Sequence, residues 1–297
     1  MKINRIKIIY VLLILVLVGC NSQEKKQEEI KIEDKAPDSL KELSSGIDDI
    51  FKSLGDIERL SLGIKLPKED KKPKKDESSS SGQSDQEESS GGSEGGSGGQ
   101  EGQASQESTQ GQEQKEGTIE EKKQKEIDSS WQTINAKLDE IHPYWNSFET
   151  ESQKKGTSKE VRDKFKNAFN KMTKAIEDKN IVEIYDYGSQ AIRNLKPMYD
   201  LYLDDIGGDL SVLKYAAYQG YIRAVINDLE GALEALSNKE ENINTVKLKL
   251  KEDEEEKEKV EKINLALTDF KDSIGENSRM LLMIKKDVLI ENIKALE

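Results

Sequence analysis

A single cysteine, Cys20, and a single histidine, His142, in 297 residues remove most of the familiar chemistry of protein active sites. No disulfide forms within the chain, no thiolate–imidazole nucleophile can be assembled, and the Cys/His sets that hold zinc are excluded. A lone histidine beside Pro143 reads as a surface or helix-end residue. The glycines between 91 and 102 sit in a polar tract with no flanking strand or helix, so they are not a phosphate-binding loop, and an EF-hand pattern is missing. Strand signals are nearly absent too, because no alternating apolar run is bounded by turns. The formal charge of −13 argues against nucleic acid. The expectation is a non-enzymatic, all-α chain with no cofactor and no metal site. Aromatics make up 5% and hydrophobic residues 34%, so only part of the chain packs a core.

What is present begins at the N-terminus. Lys2, Arg5 and Lys7 precede an apolar run from Ile8 to Val18, which ends at Leu17-Val18-Gly19-Cys20. That is a basic region, an apolar region and a small residue before a cleavage point. The run is short of the ~20 apolar residues that a spanning helix needs. Leu17 to Cys20 resembles the lipobox that ends bacterial lipoprotein signal peptides, and the resemblance implies cleavage before Cys20 and acylation of its thiol and new N-terminus. Several acyl chains on one residue anchor a protein firmly. Loss of the three basic leader residues moves the formal charge from −13 to −16. The partner implied at this end is the lipid bilayer, reached through acylated Cys20.

Five segments follow from composition and period. Residues 1–19 are the signal peptide and 20–37 a polar stalk. In 38–63, Leu40, Leu43, Ile47, Ile50, Leu54 and Ile57 recur at alternating spacings of three and four, with Phe51 and Leu60 widening the stripe, so an amphipathic helix is expected. Asp38 or Ser39 can cap it. Docking on the later helices or transient helicity is favoured over a coiled coil between chains, because the pattern covers only about three heptads and Gly46, Gly55 and Gly63 weaken it; an oligomer through 38–62 is therefore not favoured. Residues 64–117, Lys/Pro-rich and then Ser/Gly/Gln/Glu-rich, are read as a disordered linker, since scarcely an apolar side chain lies between Leu66 and Ile119. For ~40 residues of this type the end-to-end distance is roughly 35 Å.

Residues 118–297 are expected to fold as an antiparallel helical bundle of five to six helices. The first helix should stop at His142-Pro143, because the residue before proline disfavours the α conformation. Gly156-Thr157-Ser158 starts the second, with Val161, Phe165, Ala168, Phe169, Met172 and Ile176 inward. The third runs from Ile181 to Leu195, and Pro197 kinks or restarts it. Gly207-Gly208 ends that unit. Asp209 caps a fourth helix aligned on Leu213, Tyr218, Ile222, Val225, Leu229, Leu233 and Leu236. The fifth spans 240–274, with a solvated or broken middle between Leu250 and Val260. The sixth, capped by Asn277 or Ser278, faces inward through Met280, Leu281, Ile284, Val288 and Ile293.

Two features mark candidate contact residues. Seven of nine tyrosines lie between 185 and 221; helical spacing places Tyr185, Tyr199 and Tyr202 in the core and Tyr187 and Tyr215 on the flanks, where tyrosine is a frequent interface residue. Lys154, Lys155, Lys159, Arg162, Lys164, Lys166, Lys171 and Lys174 form a basic island suited to an acidic protein or a sulfated polysaccharide. The plainer reading is that they pair with the acidic stretch around Glu252 to Glu256 or face water. Tyr187, Tyr215, Lys159, Arg162 and Lys166 are the partner-binding candidates.

The lipobox at Leu17 to Cys20, a Lys/Asn/Glu/Ile-biased composition, a low-complexity tether and a helical C-terminal domain together resemble the plasmid-encoded outer-surface lipoproteins of Borrelia spirochaetes. The resemblance covers the layout and carries over no binding residue. It implies a lipid-anchored, surface-exposed position at the cell outer membrane and non-enzymatic binding of a host protein, whether a matrix, plasma or complement component. The competing expectation is a periplasm-facing structural or adaptor lipoprotein of the cell envelope.

Overall fold

A computed structural model describes residues 35–63, 118–203, 205–250 and 254–297. Residues 1–34, read from sequence as a signal peptide, Cys20 and most of a polar stalk, and the whole expected linker, 64–117, lie outside the described residues. Every regular element among the described residues is helical, in ten helices, so the all-α helical bundle is confirmed with more breaks than its sequence suggests. Residues up to Gly55 and Trp131–Glu297 belong to one compact unit, and Asp56–Ser130 to a second.

Helix α1, Asp38–Ser61, carries the first stripe as expected. Leu40, Leu43, Ile47, Ile50, Phe51 and Leu54 are all buried within the larger unit. Helix 38–61 thereby supplies core to the domain read from sequence as 118–297. Gly46, which costs helix propensity, allows a close approach: a Cβ there would overlap Ile141 Cγ2.

Helix α2, Ile119–Lys154, overturns the stop expected at His142-Pro143, for Pro143 lies inside it. An interior proline costs about 3 kcal/mol, and tertiary packing just beyond it offsets that cost. Trp145 and Phe148 are buried; Trp145 packs on Phe165 at 4.4 Å and His142 on Phe169 at 4.6 Å between ring centroids. The helix ends instead at Gly156, whose φ of 89° is open to glycine.

Helix α3, Lys159–Glu177, starts at Ser158, whose hydroxyl accepts from Val161 N, and buries Phe165, Ala168, Phe169, Met172 and Ile176 as its spacing predicts. Asn180 caps helix α4, Ile181–Asn194, and a short turn, α5, Lys196–Tyr199, restarts the helix with Pro197 in its first turn.

Helix α6, Gly207–Val225, begins at the glycines expected to end the previous unit, and Asp209 is not its cap. Asp209 is buried and held by Lys196 Nζ at 3.2 Å, Asn242 Nδ2 at 2.9 Å and Lys249 Nζ at 3.6 Å. The helix does not continue to Leu236. Asn227 takes φ 66°, Asp228 caps a separate helix α7, Leu229–Leu236, and Leu229 and Leu233 turn outward while Leu236 stays buried.

The long fifth helix is likewise two, α8, Glu240–Lys249, and α9, Glu254–Ser273. Helix α10, Arg279–Lys294, is capped by Ser278 as expected but presents another face inward. Leu282, Met283, Lys286, Leu289, Ile290 and Ile293 are buried, whereas Met280, Ile284 and Val288 are 52%, 42% and 43% exposed.

Candidate functional site

The two flanking tyrosines are half-buried, each under a cation. Lys171 Nζ lies 5.2 Å from the centre of the Tyr187 ring, and the Arg193 guanidinium 4.8 Å from that of Tyr215. Such contacts orient both partners and leave part of the aromatic face accessible. Tyr185, Tyr199 and Tyr202 are buried in the core, as are Tyr218 and Tyr221.

The basic island is more neutral than its sequence suggests. Lys159 pairs with Asp163, Lys164 with Glu160 at 2.7 Å and Lys166 with Glu149 at 3.7 Å. Arg162 donates to the carbonyl of Thr157, and so serves the α2–α3 turn. Of the acidic stretch, Glu254 and Glu256 bind Lys257 and Lys259 of their own helix at 2.8 and 2.7 Å. Helical spacing of three to four brings these neighbours together at little entropic cost.

The main polar feature of the interior was not among the residues singled out by sequence. Lys214, fully buried in the middle of α6, donates to Asp48 of α1 and to Glu297 at 2.5 Å. Burial by itself would push the Lys214 pKa down; Asp48 and Glu297 overcome it and hold the ammonium charged. Burial in turn pushes the Tyr218 hydroxyl well above its usual range, with Asp48 adding to the rise. A second buried lysine, Lys286 of α10, pairs with Asp287 at 2.8 Å and sits 4.8, 5.3 and 5.9 Å from the ring centres of Tyr221, Tyr185 and Tyr218. The tyrosine-rich segment thus makes a cage for a structural cation. Two inward-facing lysines in otherwise apolar helical stripes are the one trace of this arrangement in the sequence.

Accessible concave surface lies elsewhere. A cleft of about 220 Å³ is lined by Arg193 of α4, Val212, Tyr215 and Arg223 of α6, Gly231, Glu234 and Ala235 of α7, and Lys239. Arg223 donates to Asp228 at 2.8 Å and to Gln219 at 3.2 Å. Gly231 makes room for this arrangement, since a Cβ there would lie 2.5 Å from Arg223 Nη1. Burial lowers the Lys239 pKa, and the nearby Arg193 and Lys271 charges lower it further against an opposing effect of Glu240. Three basic side chains and one acid thus line the cleft in an acidic chain. On another face, Met280, Ile284 and Val288 follow one another at single-turn intervals along α10 as an exposed apolar stripe.

Among the described residues no group of three His, Cys, Asp or Glu side chains is placed to hold a metal ion, and no helix is long and apolar enough to cross a membrane. Comparison with family models, curated proteins and solved structures finds no match to this chain.

Proposed function

We propose that the chain is a lipoprotein anchored in the bacterial outer membrane through Cys20 and displayed at the cell surface, where its helical domain binds a host protein without catalysis. The exposed stripe Met280, Ile284 and Val288 on α10 carries this reading. Large apolar side chains one turn apart on a helix offer a partner a continuous strip to cover, and contiguous apolar surface of this kind marks protein contacts. The leader, the lipobox-like Leu17 to Cys20 and the long polar tract support display at a distance from the bilayer.

Two measurements test it. Protease added to intact cells should remove the domain; a band protected in intact cells and lost only on lysis would favour the periplasm-facing adaptor instead. The full chain from residue 21 should capture a discrete protein from host serum or matrix extract, and I284E/V288E should lose that capture with its helix content intact. Equal capture by both proteins would remove the stripe from the binding surface.

A further inference from the structure

The cleft between α4, α6 and α7 combines three properties that point to one ligand chemistry. Its rim carries Arg193, Arg223 and Lys239 against the single acid Glu234. Among the described residues Arg193 and Lys239 have no carboxylate within ion-pair distance: Arg193 rests on the Tyr215 ring at 4.8 Å, and Lys239 Nζ donates to the carbonyl of Ser237 at 2.9 Å. Many other lysines on this acidic surface are already paired with a neighbouring carboxylate, whereas these two cations line one cleft together.

Each has a neighbour that restrains it. Arg193 lies over the Tyr215 ring at 4.8 Å, a contact that restrains the guanidinium, and the fork of Arg matches a carboxylate through two parallel hydrogen bonds. Arg223 is held by Asp228 and Gln219, so its charge is already partly met within the protein. Val212 and Ala235 supply apolar wall beside the charged groups. A surface of paired cations, an aromatic face and small apolar side chains fits a glutamate or aspartate with an apolar neighbour.

We infer that this cleft is a carboxylate-binding subsite that receives an acidic segment of a protein partner, with Arg193 and Lys239 as its anion ligands and Tyr215 as the platform that positions Arg193. The inference rests on the reading of the chain as a protein-binding lipoprotein and names the chemistry of the segment bound. Binding there is electrostatic in origin, so it weakens as salt rises. Tyr215, one of the residues singled out by sequence, has its role through Arg193.

The test uses the full chain from residue 21 and a fluorescent synthetic peptide of repeated Glu-Leu-Gly units, followed by anisotropy at 50 and 300 mM NaCl. The parent should bind at low salt and weaken severalfold at high salt. R193Q/K239Q should lose about tenfold or more in affinity, in keeping with two charge-assisted contacts removed. Y215L should weaken binding with the helix content unchanged, whereas Y215F should bind as the parent does, since the ring and not the hydroxyl carries Arg193. K171Q, at the other tyrosine, should leave binding unchanged.

Absence of peptide binding at 50 mM NaCl, or equal binding by the parent and R193Q/K239Q, overturns the subsite. Binding of a heparin oligosaccharide through the same residues without binding of the peptide overturns the assignment to a protein segment. Peptide binding that depends on Arg193 and Lys239, with no host protein captured from serum, leaves the subsite standing and counts against the host-protein reading. Capture of a host protein equally by parent and R193Q/K239Q keeps that reading and removes the partner from this cleft.

Discussion

Lys214 and Asp48 lie 166 positions apart in sequence and meet as an ion pair with both side chains buried. The pair joins α6 to α1. A buried pair of this kind contributes little over an apolar replacement, but removal of one partner leaves the other charge in a low-dielectric interior. Lys214→Met is expected to lower stability by about 3–5 kcal/mol, because it leaves Asp48 buried without a counter-charge, and Asp48→Leu by less, because Lys214 keeps Glu297. Lys214→Met/Asp48→Leu should recover much of the Lys214→Met loss, since the remaining Glu297 is partly exposed and can hydrate, as read from urea unfolding of the parent, both single variants and the double. Additive losses in the double variant would mean the two charges act independently.

Gly46 is expected to be intolerant of even a methyl group. Ala is favoured over Gly in a helix by about 1 kcal/mol, yet a Cβ at position 46 would overlap Ile141 Cγ2. Overpacking costs typically about 1–3 kcal/mol, so G46A should lower the unfolding midpoint. Combination with I141A should regain less than the sum, because that change also empties a buried site; G46A/I141V is the better rescue. A stabilised G46A would show that α1 and α2 can separate at this point freely.

The larger folded unit draws on residues well before 118. A chain starting at Thr118 lacks Leu40, Leu43, Ile47, Ile50, Phe51 and Leu54, all of which are buried in the unit that includes Trp131–Glu297. Each large side chain of this kind contributes about 1.5–3 kcal/mol when buried, and the total exceeds the net stability of most domains. The shortened chain should bind a hydrophobic dye and melt broadly, whereas one starting at residue 36 should unfold cooperatively. Calorimetry distinguishes the two outcomes.

Pro143 sits within α2, so Pro143→Ala restores a backbone donor to the helix. The expected gain in stability is up to about 3 kcal/mol. A loss would show that the proline itself helps bring Trp145 onto Phe165.

His142 supplies a pH dependence of known sign. Burial against Phe169 lowers its pKa below 6.5, with Asp139 opposing the shift. The folded state therefore prefers the neutral ring. The stability it contributes is complete above pH 6.5 and is lost as pH falls through the lowered folded value. The urea midpoint of the parent should fall between pH 7.5 and 5.5 by more than that of H142Q. Equal slopes would assign the acid sensitivity to other groups.

Local period and capping were legible in the sequence wherever a helix makes its own boundary. The stripe of α1, the Ser158 and Ser278 starts and the inward face of α3 follow from residues within one or two turns. Elsewhere a distant partner or a non-helical turn outweighs the apolar period. Pro143 is tolerated because aromatic packing beyond it compensates. Helix α6 ends at Val225 because Asn227 adopts a left-handed turn and Asp228 re-caps the chain. Helix α10 is rotated from its expected face because Lys286 is accepted inside a cage of three tyrosines. A hydropathy pattern counts lysine as solvent-facing, so that face was invisible to it.

The candidate contact residues divide along the same line. The flanking positions of Tyr187 and Tyr215 could be read from helical spacing, and both carry a cation on the ring. The basic island was legible as a count of charges, but its pairing was not, since Lys159, Lys164 and Lys166 each find a carboxylate within reach. Arg193 of α4 and Lys239, just before α8, carry no shared sequence signal; folding places them around one cleft. By itself the sequence determined the helical class, because period and capping act over a few residues. The tertiary structure alone decided which helices break, which lysines are buried and which cations remain available, because those outcomes depend on the free energy of contacts between residues far apart in the chain.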